Sequence, residues 1–203
     1  MSFYRRRGKR AFDLAVATPL LVISLPIQIA LATTIRFSLG SPVLFAQERP
    51  GLNHHPFTLL KFRSMKNPDP ARGLITDEQR LTKLGAFMRS TSLDELPSLF
   101  NVVRGDMSLV GPRPLYSHYV PLYTAKQARR HHVRPGITGL AQVSGRNAVN
   151  WEDRFDLDVN YVDRLSFGGD LQILLRTITT VLRRDGISAE GHVTMPEFRG
   201  SNG

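Results

Sequence analysis

The stretch that decides the fold class is residues 14–35, "LAVATPLLVISLPIQIALATTI", because none of its side chains carries a charge. A helix of this length extends about 33 Å, close to the roughly 30 Å thickness of a bilayer's hydrocarbon core. A basic leader stands before it, with Arg5, Arg6, Arg7, Lys9 and Arg10. The sequence therefore predicts a membrane-embedded helix that follows a basic leader.

Three topologies fit this apolar segment. It could be a signal peptide cleaved at the small-x-small site of residues 30–32, or a spanning helix that exports the rest of the chain. It could also bend at Pro26, where proline removes a backbone donor, and return to the side from which it entered. Basic residues such as Arg36 and Arg49 follow the segment. The positive-inside rule therefore favours neither orientation of a spanning helix.

Composition limits the chemistry and the partners. The chain has 203 residues and no cysteine, which excludes disulfides, thiolate metal sites and cysteine nucleophiles. Its formal net charge is +10. Such a basic chain is expected to meet a polyanion, which could be nucleic acid, anionic lipid or a phosphorylated substrate.

The remaining patterns predict an α+β fold. Residues 42–65 read as a β-hairpin around a turn at Pro50-Gly51, and residues 107–114 as a short extended run. Residues 133–148 read as a loop. Helices are predicted for residues 77–89 with Thr76 as N-cap, 93–104 ending at Gly105, 117–132, a stretch from Trp151 capped by Asn150, and an amphipathic 170–186.

Two adjacent acids, Asp94 and Glu95, lie in "RSTSLDELPSLFN" at residues 89–101. One interpretation is an ordinary helix start, because Ser92 and Glu95 have the spacing of a capping box. The other is a working carboxylate pair of an enzyme. Spacing alone favours the cap.

Basic residues elsewhere favour the enzyme. Lys61 and Arg63 come from the hairpin, Arg89 precedes the acids, and Arg113 follows between two prolines. If these cations converge on the acids, the pocket suits phosphoryl chemistry. Arginines and Mg²⁺ would neutralise phosphate oxygens there, and a carboxylate would attack phosphorus or hold the metal.

Four blocks of the sequence together resemble the bacterial sugar transferases, the small monotopic phosphoglycosyl transferases. They are "KFRSM" (61–65), "SLDELPSLFNVVRGDMSLVGPRP" (92–114), "VRPGITGLAQVSGRNA" (133–148) and "LDVNYVDRLSF" (157–167). The resemblance runs from Lys9 to Gly191. It divides the chain into a leader with a membrane helix (1–39), a catalytic domain (40–191) and a tail (192–203).

The resemblance implies a specific reaction. Such enzymes move a sugar 1-phosphate from a UDP-sugar to undecaprenyl phosphate and release UMP. Asp94 would attack the β-phosphate and also touch Mg²⁺, with Glu95 orienting or assisting. Lys61 matches the family's essential lysine and Arg113 would hold phosphate. Arg146 is a candidate contact to the nucleotide sugar.

The resemblance also implies a location and a sugar. A re-entrant helix with amphipathic helices at the membrane surface would keep catalysis on the cytoplasmic face of the bacterial inner membrane, where UDP-sugars are found. The family breaks this helix at a Ser-Pro pair, whereas this chain has Leu25-Pro26 with Ser24 one place earlier. The blocks "FAQERPGLN" (45–53), "SLDELPSLFNV" (92–102) and "GISAEGH" (186–192) are closest to members that transfer N,N'-diacetylbacillosamine 1-phosphate in protein glycosylation.

Two other classes remain open from the residues. A membrane-anchored scaffold would bind lipid phosphate without chemistry. A nucleic-acid binder could use the basic arm, but it would have no use for 14–35 or for two buried acids that repel phosphates. The expected partners are therefore a UDP-sugar, undecaprenyl phosphate and membrane lipid, and not nucleic acid.

Overall fold

The computed structural model describes residues 3–145, 149–183 and 197–200. Its strands are β1 (Leu44–Pro50), β2 (Pro56–Phe62), β3 (Ser108–Val110) and β4 (Gly136–Thr138). Its α-helices are α1 (Lys9–Leu39), α2 (Asp77–Arg80), α3 (Lys83–Ser90), α4 (Ser98–Arg104), α5 (Ala125–Ala128), α6 (Leu140–Val143), α7 (Trp151–Arg164) and α8 (Phe167–Arg183). The mixed α+β class predicted from the sequence is confirmed.

Helix α1 contains the whole apolar segment and continues through Pro19 and Pro26. It is the one helix in the described ranges that is long and apolar enough to cross a bilayer. Near Pro26 the Ser24 hydroxyl donates to the Leu21 carbonyl at 3.1 Å and accepts from Gln28 at 2.9 Å. Ser24, which stands two residues before Pro26 and not directly before it, thus donates to a backbone carbonyl in the preceding turn of the helix.

Both ends of α1 are fastened to the same domain. At the N-terminal end, Arg10 donates to the carbonyls of Val102 and Val103 at 2.5 and 2.9 Å, at the C-terminal end of α4. The buried Asp13 carboxylate accepts hydrogen bonds from the Ser108 hydroxyl and the Leu109 amide.

At the C-terminal end, Ile35 is fully buried in a cluster with Phe62 of β2 and Met88 of α3. Between these anchors, large apolar side chains face outward, and Ile23 and Ile29 are 73% and 65% exposed. One face of α1 therefore packs on the domain while its opposite face is unpartnered.

The predicted hairpin is confirmed, with β1 and β2 antiparallel and Arg49 opposite Phe57. Helix α4 docks against it through polar side chains. Asn101 accepts from the Leu60 amide at 3.0 Å and donates to the Thr58 carbonyl at 2.8 Å, while Ser98 donates to the Leu60 carbonyl at 2.7 Å. These bonds satisfy the edge of β2 and fix the hairpin to the start of α4.

Strands β3 and β4 form a parallel pair in which the backbones approach closely. A Cβ on Gly111 would come within 2.4 Å of the Arg134 carbonyl oxygen, and one on Gly136 within 2.1 Å of the Gly111 nitrogen. The close approach explains why glycine stands at both positions. It also fixes the start of the Pro112-Arg113-Pro114 segment, which leaves β3 at Gly111.

Helix boundaries are where the sequence predictions were partly wrong. The predicted helix 77–89 is divided, because Leu81 is extended and pairs with Met65, and Thr82 caps a new helix. Residues 117–132 are mostly 3-10 turns, with Pro121 inside the first of them. The predicted loop 133–148 contains β4 and α6, whose partner strand β3 is distant in sequence.

Other predicted features are confirmed. Thr76 makes a capping box with Gln79, the Asn150 side chain caps α7, and Gly105 ends α4 in the left-handed region with φ 101°. In the tail, Phe198 is buried against Tyr119 and other aromatic rings, so this part of 192–203 packs on the domain.

Candidate active site

The turn that carries the two acids is not the predicted capping box. Ser92 adopts the left-handed conformation (φ 57°) and makes no side-chain cap. Leu93–Glu95 form a single 3-10 turn, in which the Glu95 amide donates to the Ser92 carbonyl at 3.2 Å. Because the Glu95 side chain does not reach back to Ser92, the capping interpretation is wrong and both carboxyl groups are available for other contacts.

The Glu95 carboxylate holds two of the predicted cations. Its Oε1 accepts a hydrogen bond from Lys61 Nζ at 2.6 Å and another from Arg113 Nη2 at 2.9 Å. The Lys61 and Glu95 side chains are only 18% and 17% exposed. The hairpin, the dyad turn and the segment after β3 therefore meet at one carboxylate oxygen.

Asp94 is buried, and its carboxylate takes part in no hydrogen bond or ion pair within the described residues. Burial, and after it the negative charge of Glu95, raises the pKa of Asp94 from 3.8 to about 6, against the opposing effect of Lys61, Arg113 and Arg89. A buried carboxylate without hydrogen bonds is poorly stabilised as an anion. The Asp94 carboxylate is therefore more basic than that of an exposed aspartate.

Glu95 has the opposite electrostatic environment. Burial alone would raise the pKa of this carboxyl, but Arg113 and Lys61 outweigh it and lower the pKa to about 2. Glu95 in turn raises the pKa of Arg113, whereas burial lowers that of Lys61. Glu95 is thus fixed as an anion between cations, whereas Asp94 binds a proton at a higher pH than an ordinary aspartate does.

A buried ion pair between Arg130 and Asp158 contacts the backbone of Arg113. Arg130 donates to the Asp158 carboxylate through Nε and Nη2 at 3.0 and 2.7 Å, and also to the Arg113 backbone carbonyl at 2.7 Å. Both side chains of this pair are 2% exposed. The pair fixes the backbone of the Pro-Arg-Pro segment and thereby aims the Arg113 side chain at Glu95.

The other predicted cations have different positions. Arg89 donates to Ser64 Oγ at 3.0 Å and lies close enough to Asp94 to lower its pKa. Arg63 is buried and donates to the carbonyls of Ser41 and Leu39, so the structure assigns it to closing the end of α1 and its phosphate contact stays a prediction. Arg146 lies outside the described residues.

Sequence reasoning missed the residues that assemble the site. Asn101 and Ser98 bring Lys61 to the dyad, and Arg130 with Asp158 supports Arg113. Asn101 is fully buried, and an amide inside an apolar helix stripe was the available signal for it, since buried amides are hydrogen-bonded. Arg49 is also buried close to Arg113, and its sequence context gave no such signal.

The residues present fit a magnesium ion shared with a substrate. Mg²⁺ is commonly bound through one or two carboxylates together with substrate phosphates and water. The Asp94 carboxylate has no hydrogen-bond partner within the described residues, whereas Glu95 Oε1 already accepts from two cations. No group of three or more potential ligands occurs in the described parts of the chain, so the phosphates would have to complete the coordination.

Comparison with known proteins gives consistent results. A family model described as bacterial sugar transferase matches residues 4–184. The chain is 54% identical over 194 residues to the uncharacterized sugar transferase EpsL of Bacillus subtilis. The aligned region covers 95% of this chain and 96% of that protein.

Two further relatives carry named activities. The chain is 39% identical over 189 residues to the UDP-glucose:undecaprenyl-phosphate glucose-1-phosphate transferase of Caulobacter vibrioides, covering 87% of this chain and 70% of that protein. It is 39% identical over 196 residues to the undecaprenyl-phosphate galactose phosphotransferase of Salmonella typhimurium, but covers 41% of that longer protein.

Proposed function

The chain belongs to the bacterial sugar transferase family, and from this premise we propose that it transfers a sugar 1-phosphate from a UDP-sugar to undecaprenyl phosphate through a covalent intermediate on Asp94. It is a sugar-1-phosphate transferase. Relatives named for undecaprenyl phosphate support the acceptor, and one named for UDP-glucose supports the donor. The observation that carries the mechanism is the contrast between a free, buried Asp94 and a doubly bound Glu95.

In the first step an Asp94 oxygen attacks the β-phosphorus of the donor. The new aspartyl oxygen–phosphorus bond forms as the bond from the β-phosphorus to the bridging oxygen breaks, and UMP leaves with that oxygen. Lys61 and Arg113, fixed by Glu95, stand beside the attacking carboxylate. Fixed positive charges of this kind stabilise the negative charge that accumulates on phosphate oxygens.

In the second step an oxygen of the lipid phosphate attacks the same phosphorus. The bond between Asp94 and phosphorus breaks, which regenerates the carboxylate and leaves a sugar diphospholipid. The two steps reuse one set of cations, because the phosphorus stays beside Asp94 throughout. When bound, Mg²⁺ would be held by Asp94 and substrate phosphates, and would neutralise diphosphate charge.

The anchoring of α1 supports a monotopic, re-entrant topology. Arg10 precedes the apolar segment and Ile35 ends it, yet both contact the catalytic domain. A straight spanning helix would place its two ends on opposite sides of the bilayer, and the domain can contact only one of them there. We therefore propose that both ends of α1 lie on the cytoplasmic face, where the donor is available.

Helix α8 offers a second membrane-facing surface. Phe167, Leu171, Leu175 and Ile178 form one helical stripe, and each is between 42% and 58% exposed. Ile173, by contrast, packs into the core. An exposed apolar stripe of this kind suits a helix that lies in the headgroup region of an anionic membrane.

The topology can be tested by cysteine labelling, because the chain has no cysteine of its own. We expect Arg6→Cys, Ser38→Cys and Arg72→Cys to react with a membrane-impermeant maleimide only after the inner membrane is permeabilised. The first two flank the apolar segment and the third reports on the domain, where its side chain is 82% exposed. Labelling of Arg6→Cys and Ser38→Cys from opposite sides would contradict the re-entrant topology.

The donor sugar is tested by measuring UMP release with a panel of UDP-sugars, Mg²⁺ and undecaprenyl phosphate. We expect the highest turnover with UDP-N,N'-diacetylbacillosamine or another N-acetylated sugar. A preference for UDP-glucose or UDP-galactose would overturn this choice of sugar and keep the reaction. Lipid-phosphate binding without UMP release from any donor would instead identify the non-catalytic scaffold.

A further inference from the structure

Arg49 lies in an unusual position at the end of β1. Its guanidinium carbon sits 3.8 Å above the centre of the Tyr116 ring, and Tyr116 follows Arg113 by three residues. The Arg49 Nη2 donates to Gln47 Oε1 at 2.6 Å. Stacking on an aromatic face fixes the plane of a guanidinium and leaves its edge free to bind a planar or tetrahedral anion.

The burial of Arg49 is only partly compensated by Gln47 and Tyr116. The residue is 9% exposed, and its Nε has no hydrogen-bond partner there. Burial lowers the pKa of Arg49 against the opposing effect of Tyr116, and the nearby charge of Arg113 also lowers it. Buried charged donors are costly when unsatisfied, so such a group at a substrate site points to a ligand that supplies the missing acceptor.

The hairpin places Arg49 and Lys61 on one face. Arg49 is paired with Phe57, and Lys61 is paired with Phe45. Residues directly opposite in an antiparallel pair share a face, and so do residues four apart along a strand. The two cations are therefore separated by four residue steps, or about 13 Å along the strands.

Arg113 is close to both of these cations. It shares the Glu95 oxygen with Lys61 on one side, and its charge acts on Arg49 on the other. The cations thus form a row that begins beside Asp94 and leads away from it along the hairpin. A UDP-sugar laid along this row, with its β-phosphorus at Asp94, would have its α-phosphate on the Arg49 side.

We propose that Arg49, stacked on the Tyr116 ring, binds the α-phosphate of the donor. It then stabilises the negative charge on UMP as the leaving group. This inference rests on the proposed function and assigns its nucleotide-side cation. The cations at the two ends of this row then bind different phosphates. Lys61 and Arg113 act on the transferred phosphate, and Arg49 acts on the phosphate that departs.

The experiment measures UMP binding to the full-length protein in detergent with Mg²⁺ by titration calorimetry. Arg49→Gln should weaken UMP binding by roughly 10- to 100-fold, which is the range for loss of a hydrogen bond to a charged group. Arg49→Lys should bind UMP with an affinity between those of the parent and Arg49→Gln, because it keeps the charge but loses the planar guanidinium that can donate two parallel hydrogen bonds. Arg72→Gln, at an exposed site on the same domain, should bind as the parent does.

The two half-reactions give a second measurement. Arg49→Gln should slow UMP release from enzyme and UDP-sugar, while transfer from the isolated phosphosugar enzyme to undecaprenyl phosphate keeps its rate. A merely structural arginine would slow both. Equal UMP affinity in Arg49→Gln and the parent would overturn the proposal, as would a large fall in thermal midpoint that accompanies the affinity loss.

The same titration separates this inference from the proposed function. Asp94→Asn removes the nucleophile but leaves Arg49 and Tyr116 in place, so it should still bind UMP. If UMP binds through Arg49 while the wild-type protein forms no phosphosugar adduct, the covalent mechanism fails and the nucleotide site stands. If an adduct forms but Arg49→Gln binds UMP normally, the mechanism stands and this inference fails.

Discussion

Replacing Asp94 with asparagine should reduce UMP release by at least 10³-fold and abolish the covalent phosphosugar enzyme. The amide keeps the shape of the side chain but lacks the oxygen anion that attacks phosphorus. Mass spectrometry of enzyme, UDP-sugar and Mg²⁺ without lipid acceptor should show the added phosphosugar on the peptide with Asp94 in the parent only. The matched control is Asp163→Asn, an exposed acid of α7 paired with Arg129, which should keep full activity.

The same substitution should raise stability, which distinguishes lost chemistry from a lost fold. The folded-state pKa of Asp94, about 6, lies above its ordinary value of 3.8, so proton binding contributes stability that is fully present below pH 4 and lost as pH rises through 6. Above pH 6 the neutral asparagine should therefore stabilise the protein by about 1–3 kcal/mol, or several degrees in thermal midpoint. Near-normal turnover of Asp94→Asn would refute the covalent mechanism.

Glu95→Gln should lower UMP release by roughly 10²- to 10³-fold and destabilise the protein. Glutamine keeps one acceptor oxygen but removes the charge that holds Lys61 Nζ and Arg113 Nη2 together. The pKa of Glu95 is depressed to about 2, so its stabilising contribution is present above pH 4.5 and lost as pH falls through 2. At neutral pH we expect a loss of about 1–3 kcal/mol, opposite in sign to the effect of Asp94→Asn.

The pH profile identifies the electrostatic part of this effect. Because the charge of Glu95 helps to raise the pKa of Asp94, the acid limb of UMP release should move to lower pH in Glu95→Gln. Glu48→Gln is the matched control, since Glu48 lies exposed on the outer face of the same hairpin. An unmoved acid limb, or a variant as stable and active as the parent, would show that Glu95 does not hold the site together.

Local patterns predicted many of the elements. The hairpin followed from its β-prone runs and a turn at Pro50-Gly51, and Thr76, Asn150 and Gly105 marked helix ends as their side chains or φ values require. The pairing of β3 with β4 was not predictable, because each strand has three residues and its partner is distant along the chain. The division at Leu81 depends likewise on a bridge to Met65.

The sequence predicted which residues form the site, but it did not predict how their side chains contact one another. Lys61, Arg113 and the two acids were named from the sequence, and the structure brings them together at Glu95. Spacing favoured a capping box with Ser92, but the Glu95 carboxylate instead accepts hydrogen bonds from Lys61 and Arg113. Arg63 was expected at the phosphate, yet the end of α1 binds its guanidinium.

The sequence by itself determined that an uncharged helix follows a basic leader, that no thiol takes part in the chemistry, and that two adjacent acids lie within a basic chain. These properties depend on composition and on neighbours along the chain. Only the tertiary structure decided which acid is bound and which is free, because burial and distant cations set the two pKa values in opposite directions. It also decided that both ends of α1 contact one domain, since that depends on Arg10 reaching α4 and Ile35 reaching β2 and α3.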